Sequence, residues 1–294
     1  MDKGGMMKNT LQINYWTLGG FDGQISPEDA IKAVKKMGLD GIELGFGAGE
    51  FSPGISRERC KEIKKFADSL GVKIDTCATG VHWELSLSSP SAATRKKAIA
   101  FTKEYLQAAS WVGAKVCLVL PGVVYVPWEE KAPVVPYAKV LELATSSIKE
   151  LIPVAKKAGV KIGVENVWNG FLTDPLSMRM FIDQFNTSYV GAYFDTANCV
   201  INGYPEHWIE ILGKKLVAIH AKNFKRMDGA GGLKGQVDDL SKGDVDFKAV
   251  IKELKKVKYT GPITAEMLPY GRDIPDMKLA KDTAKKLLKI FRGK

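Results

Sequence analysis

Histidine is scarce in this chain, with only His82, His207 and His220 among 294 residues. A site holding several metal ions through many imidazoles is therefore excluded. The four cysteines, Cys60, Cys77, Cys117 and Cys199, form no CxxC pair, which leaves neither a disulfide framework nor a zinc knuckle. Cys77 and Cys117 lie inside apolar runs and read as small buried hydrophobes. A reducing, cytoplasmic setting is the expectation. No stretch runs about 18 apolar residues without a charge, so no membrane span is expected. The start, MDKGGMMKNT, lacks the apolar segment of a signal peptide. Residues 1–10 are expected to be a flexible tail, followed by a single catalytic domain over 11–294.

What is present is ordinary for a folded protein: 45% hydrophobic and 26% charged residues supply enough apolar surface for a core. The net charge is +10, from 43 Lys+Arg against 33 Asp+Glu. The excess is mainly lysine, spread through helix-like segments such as Ile31–Met37, Arg59–Lys65, Ile251–Lys258 and Lys278–Lys289. Such lysines read as solvated helix faces, so neither nucleic acid nor a membrane is expected as partner.

One rhythm repeats along the chain. A short β-branched run is followed by a loop and then by a stretch with helical periodicity. Strands are predicted at Leu11–Leu18, Gly41–Phe46, Lys73–Thr79, Lys115–Gly122, Lys161–Val167, Val190–Asn198, Leu216–Asn223 and Pro262–Leu268. Helices are predicted at Pro27–Met37, Arg57–Leu70, Ala92–Val112, Pro136–Lys157, Pro175–Phe185, Pro205–Leu212, Asp246–Lys256 and Asp276–Phe291. Ser26-Pro27-Glu28-Asp29 combines an N-cap, a proline at the first helical position and acids in the first turn. Gly38, Gly71, Gly113 and Gly159 mark helix ends. No GxGxxG follows the first strand, and no linker divides the chain. Eight βα units in this length predict an α/β fold, a single (β/α)₈ TIM barrel with eight parallel strands inside a ring of helices.

Active sites of such barrels lie at the C-terminal strand ends. Four successive predicted strands end in an ionisable residue: Glu165, Asp195, His220 and Glu266. Strand side chains alternate and neighbouring strands lie about 4.8 Å apart, so the four would converge on one half of the mouth. Three carboxylates so close could not all stay ionised without a counter-charge. Oxygen donors with one imidazole suit Mn²⁺, Co²⁺, Mg²⁺ or Fe²⁺ better than a structural zinc.

The segments Val164-Glu165-Asn166-Val167-Trp168-Asn169, Tyr193-Phe194-Asp195-Thr196-Ala197-Asn198, Ile219-His220-Ala221-Lys222-Asn223-Phe224-Lys225-Arg226 and Ile263-Thr264-Ala265-Glu266-Met267 together resemble the xylose-isomerase-like sugar phosphate isomerase/epimerase superfamily. The likeness runs over essentially the whole chain and is nearest to the L-ribulose-5-phosphate 3-epimerase-like and ketose 3-epimerase groups. It implies that Glu165, Asp195, His220 and Glu266 bind one divalent metal ion, usually Mn²⁺, with Co²⁺, Mg²⁺, Fe²⁺ or Zn²⁺ as alternatives. It also implies that Glu165 and Glu266 serve as acid and base in epimerisation at C3 of a ketose or ketose phosphate. Homodimers or homotetramers are common in the family.

That chemistry accounts for the residue types. A cation on the ketose oxygens stabilises an enediolate, and inverting C3 needs a proton carrier on each face. Substrate-contact candidates are Arg226, which can fork onto a phosphate or hydroxyl pair with Lys222 and Lys225 nearby, and Asn198, His82, Trp168, Trp16 and Glu43. Trp83 stands beside His82 with the same expectation, whereas His207 reads as a loop residue. Free-ketose epimerases carry a second acid where Phe171 stands here, and a histidine in place of Asn198. Those departures tilt the expectation towards a phosphorylated pentulose or hexulose. Competing readings are an aldose–ketose isomerase of the hydroxypyruvate or xylose type, a free-ketose 3-epimerase, an inosose dehydratase-like lyase, and a non-catalytic sugar-binding relative. An apurinic endonuclease fits the charge but not the three histidines.

Overall fold

A computed structural model describes residues 7–47, 49–227, 232–237, 239–272 and 274–293. Strands β1 (Leu11–Asn14), β2 (Gly41–Gly45), β3 (Lys73–Ala78), β4 (Val116–Val119), β5 (Lys161–Glu165), β6 (Val190–Asp195) and β7 (Leu216–Ala221) pair in parallel. A small antiparallel hairpin follows, β8 (Phe224–Arg226) with β9 (Leu233–Gln236). The last barrel strand, β10 (Ile263–Ala265), pairs with β7 on one side and β1 on the other and closes the ring. The expected barrel is therefore the observed one.

Outside the strands lie α2 (Pro27–Met37), α3 (Arg57–Ser69), α4 (Ala92–Val112), α5 (Tyr137–Ala158), α6 (Pro175–Asp183), α7 (Pro205–Leu212), α8 (Phe247–Lys256) and α9 (Met277–Arg292). Ser26, Ser56, Ser91, Asp174, Asp246 and Asp276 accept hydrogen bonds from the first-turn amides and start their helices. Each helix sets one apolar face on the barrel; α2 buries Ala30, Ile31 and Val34, at the spacing of a single helical stripe. No helix among the described residues is long and apolar enough to cross a membrane.

Three expectations are revised. The first strand ends at Asn14 rather than Leu18, because the Asn14 side chain accepts from the Trp16 N–H at 2.7 Å and caps a short helix, α1 (Tyr15–Gly19). The predicted loop after β7 contains the β8–β9 hairpin. The tail predicted over 1–10 falls partly outside the described residues, but Met7 and Asn9 are buried. Asn9 donates to the carbonyls of Tyr259, at 3.3 Å, and Gly261, at 2.7 Å, so the packed chain begins before residue 11.

Candidate metal and substrate site

The barrel axis is polar, and strand alternation puts it there. Gln12 on β1 donates to Thr76 on β3 and Thr264 on β10, both at 2.9 Å, and accepts from the Asp75 N–H at 3.1 Å. Two residues further along its strand, Asn14 donates to Glu43 Oε1 at 2.7 Å. Glu43 is fully buried and also receives the Tyr193 hydroxyl and the His220 Nε2–H, the latter at 2.6 Å. One step closer to the mouth, Glu165, Asp195, His220 and Glu266 cluster at the base of a cavity whose lining Glu165 and Glu266 reach.

Each of these side chains is aimed by its neighbours. Glu43 accepts the proton of His220 Nε2, which turns Nδ1 towards Glu165 and Glu266; that buried nitrogen has no hydrogen-bond partner. The amides of Ala197 and Asn198 hold Asp195 Oδ1 at 2.7 and 2.9 Å, while the buried Oδ2 also has no partner. Asn166 clamps the end of β6 by accepting from the Asp195 N–H and donating to its carbonyl, at 2.8 and 2.9 Å. His220 Nδ1 lies 3.8 Å from Glu165 Oε1 and 3.7 Å from Glu266 Oε2. Lys222 Nζ, almost buried, is 2.6 Å from Glu266 Oε2 and 3.8 Å from Asp195 Oδ2.

The charges are strongly coupled. Burial, and then the Glu266 and Asp195 carboxylates, push the Glu165 carboxyl up to about 7. Burial likewise raises Asp195, against the pull of Lys222. Burial opposes a charged His220, yet Glu43 and Glu266 outweigh it and hold the imidazole well above its ordinary value. Glu43 is held below the usual carboxylate range, burial being outweighed by His220 and Tyr193. A proton on His220 Nδ1 and a divalent cation are thus alternative counter-charges for one set of carboxylates.

The donor set fits such a cation. One atom each from Glu165, Asp195 and His220 lies within 4.8 Å of the others. Two of the three residues present an unpartnered buried atom to the shared space. An imidazole steered by a carboxylate behind it is the usual support of a metal-binding histidine. Glu266 stands at the edge of this group, drawn to Lys222.

A cavity of about 900 Å³ opens above the base and is lined in part by Glu165, Glu266, Asn198, Trp168 and Trp16. Asn198 is spent on bracing: its Oδ1 accepts from Trp168 Nε1 and its Nδ2 donates to the Asn166 carbonyl, both at 3.0 Å. Trp16 lies against β2, where a Cβ on Gly45 would come within 3.0 Å of its indole nitrogen.

Three expected substrate contacts lie elsewhere. Glu43 sits behind His220, its oxygens fully engaged, and acts on the site through the imidazole. His82 is buried against α4, with Nε2 at 2.9 Å from Thr102 Oγ1 and its ring edge-on to Phe101. Burial pushes that imidazole down to about 3. Arg226 turns away from the cavity: its guanidinium donates to the carbonyls of Val200 and Gly203 and lies 4.6 Å from the centre of the Tyr204 ring. It staples the segment after β6 to the hairpin.

The cavity also holds residues the sequence reasoning passed over. Trp128, Phe21 and Tyr270 are among them, joining Trp16, Trp83 and Trp168, which were expected there. Lys222, expected only to add positive charge nearby, reaches the base itself. Its place two residues after His220, on the same face of an extended segment, was the available signal.

The chain belongs to the xylose isomerase-like TIM barrel family, whose model matches residues 31–290. An uncharacterised protein of Methanocaldococcus jannaschii is 23% identical over 274 residues, covering 91% of this chain and 88% of its own. D-psicose 3-epimerase from Clostridium cellulolyticum H10, solved with D-tagatose, superposes with a TM-score of 0.74 at 21% identity, covering 97% of this chain and 96% of that one. A structure of L-ribulose 3-epimerase gives 0.76 at 15% identity, covering 97% and 95%. At such identities the likeness to solved structures establishes the fold alone.

Proposed function

We propose that this protein is a divalent-metal-dependent isomerase that inverts C3 of an unphosphorylated ketose. The observation that carries the reading is the position of His220 Nδ1, 3.8 and 3.7 Å from the carboxylates of Glu165 and Glu266. Two candidate proton carriers thus lie close to one ligand atom at the base of the cavity. The names of the similar solved structures, D-psicose 3-epimerase and L-ribulose 3-epimerase, point the same way.

Glu165, Asp195, His220 and Glu266 would hold the cation, and carboxylate oxygens with one imidazole suit Mn²⁺. When bound, it supplies positive charge that offsets the three carboxylates and polarises the ketose carbonyl. The chain's own groups do the rest. One glutamate takes the C3 proton, and the other returns one to the opposite face of the planar enediolate. Lys222 holds Glu266 in place with its ion pair, and Asn166 and Asn198 keep Asp195 and Trp168 in register. The sequence departures tilted towards a phosphorylated sugar, but Arg226 is committed to backbone carbonyls. Among the described residues lining the cavity, Lys222 is the sole basic one, against Asp22, Glu84, Glu129, Glu165 and Glu266. An anionic group would meet net repulsion there, which favours an uncharged ketose.

Turnover of ketoses in D₂O with added Mn²⁺ tests the reaction. Deuterium at C3 of both epimers is expected. Glu165→Gln and Glu266→Gln should each lower exchange by about 10²–10⁴-fold, with metal content measured on the same samples. Deuterium at C1 or C2 with an aldose formed would mean isomerisation, and loss of water would mean a dehydratase.

A further inference from the structure

The outer half of the cavity is far more apolar and more acidic than a site for a bare monosaccharide requires. Trp83 follows β3, Trp128 follows β4 and Trp168 follows β5, and their rings meet in one cluster. The centroids lie 4.5 Å apart for Trp83–Trp128, 6.2 Å for Trp83–Trp168 and 6.1 Å for Trp128–Trp168. Trp168 is pinned by its bond to Asn198, so the cluster stands at a set place above the carboxylates. Across the closed ring, beside β1 and β10, a second file of rings runs from Trp16 through Phe21, 5.7 Å away, to Tyr270, a further 6.2 Å. Phe21, Trp128 and Tyr270 are 48, 60 and 58% exposed, so large apolar rings stand in water on both sides of one opening. Exposed rings gathered around a concave, polar-based site mark a binding surface.

The volume agrees. About 900 Å³ is near the top of the range that holds drug-sized ligands, well beyond one pentose or hexose. The rim charges set the chemistry of what fills the rest. Asp22, Glu84 and Glu129 also line the cavity, and the sole basic residue among the described ones lining it, Lys222, is paired with Glu266. A phosphate is repelled there, whereas a neutral ring with CH faces stacks on indole at no electrostatic cost.

Resting on the epimerase reading above, we infer that the substrate is a ketose carrying a neutral ring substituent, of which a glycosyl group is the model. The ketose sits at the carboxylate base, and the second ring lies against the Trp83–Trp128–Trp168 cluster.

Fructose, fructose 6-phosphate and 6-O-glucosylfructose differ only in the group at C6 and make a matched set. With the Mn²⁺-loaded enzyme, C3 exchange in D₂O should be at least about 10-fold more efficient for the glucosyl ketose than for fructose, and weakest for the phosphate. Trp128→Ala, an exposed position, should cut kcat/KM for the glucosyl ketose about 10-fold more than it cuts that for fructose. Binding is read separately, by quenching of tryptophan emission. Tighter binding of 6-O-glucosylfructose than of fructose, weakened by Trp128→Ala, supports the subsite even where none of the three sugars exchanges; that lack of exchange would count against the epimerase reading alone. Preference for the phosphate, equal binding of the glucosyl ketose and fructose, or equal loss on both in Trp128→Ala overturns the inference.

Discussion

Gln12 and Glu43, deep in the barrel, are buried polar side chains whose nitrogens and oxygens are all engaged, by Thr76, Thr264 and the Asp75 amide for one and by Asn14, Tyr193 and His220 for the other. His220 and Asp195, one step nearer the mouth and equally buried, each leave one atom without a partner. The same strands carry both layers. A buried polar group usually finds its partners, because leaving it bare costs about 1–3 kcal/mol. The lower layer therefore reads as framework and the upper as a place kept for something else. Glu43 joins them, since the bond that completes the framework is also the one that aims His220.

That contrast can be broken where the layers meet. Glu43→Gln keeps the shape but replaces the charged acceptor behind His220, and a change behind a metal-binding histidine typically costs about 10–100-fold in metal affinity. Titration of Mn²⁺ into the variant should show a loss of that size, with catalysis largely restored at saturating metal. Unchanged affinity would mean that Glu43 belongs to the framework alone. Gln12→Leu, in the lower layer, should lower thermal stability and leave metal affinity unchanged.

His82 sharpens the contrast from outside the site. It resembles His220 in burial, but no carboxylate among the described residues faces it, and burial pushes its pKa from the ordinary 6.5 down to about 3. The fold accommodates the neutral ring. Its contribution to stability is complete above about pH 6.5 and declines as pH falls towards 3. Thermal denaturation of wild type and His82→Gln should therefore show a gap that shifts in the variant's favour between pH 6.5 and 4. A gap that holds constant would mean that the imidazole titrates normally.

The smallest effect is expected at Arg226. Its guanidinium ties Val200 and Gly203 to the hairpin, so Arg226→Ala should lower stability modestly and change KM by the same factor, within a few-fold, for charged and uncharged ketoses. A selective loss on the phosphate would return Arg226 to the substrate.

Legibility in the sequence followed periodicity. Three helices, Pro27–Met37, Ala92–Val112 and Pro205–Leu212, run over the predicted residues. Glu165, Asp195, His220 and Glu266 lie together because strand alternation fixes direction and the barrel rule fixes which end matters. Orientation was lost wherever no period applies. His82 sits on a single tight turn, and Arg226 on a hairpin with no alternation signal longer than three residues. Trp83 and Trp128 stand on separate loops and meet only through the closed ring. Glu43 was legible as an inward residue of β2, but its depth below the mouth depended on the register with β1 and β3.

The upper layer's two unpartnered atoms make the most direct demand. Mn²⁺ titrated into the protein and followed by electron paramagnetic resonance should show one site per chain. Asp195→Ala and His220→Ala should each abolish it while the barrel stays folded by circular dichroism. No tight Mn²⁺ site in the wild type, or one that survives both substitutions, would contradict the account.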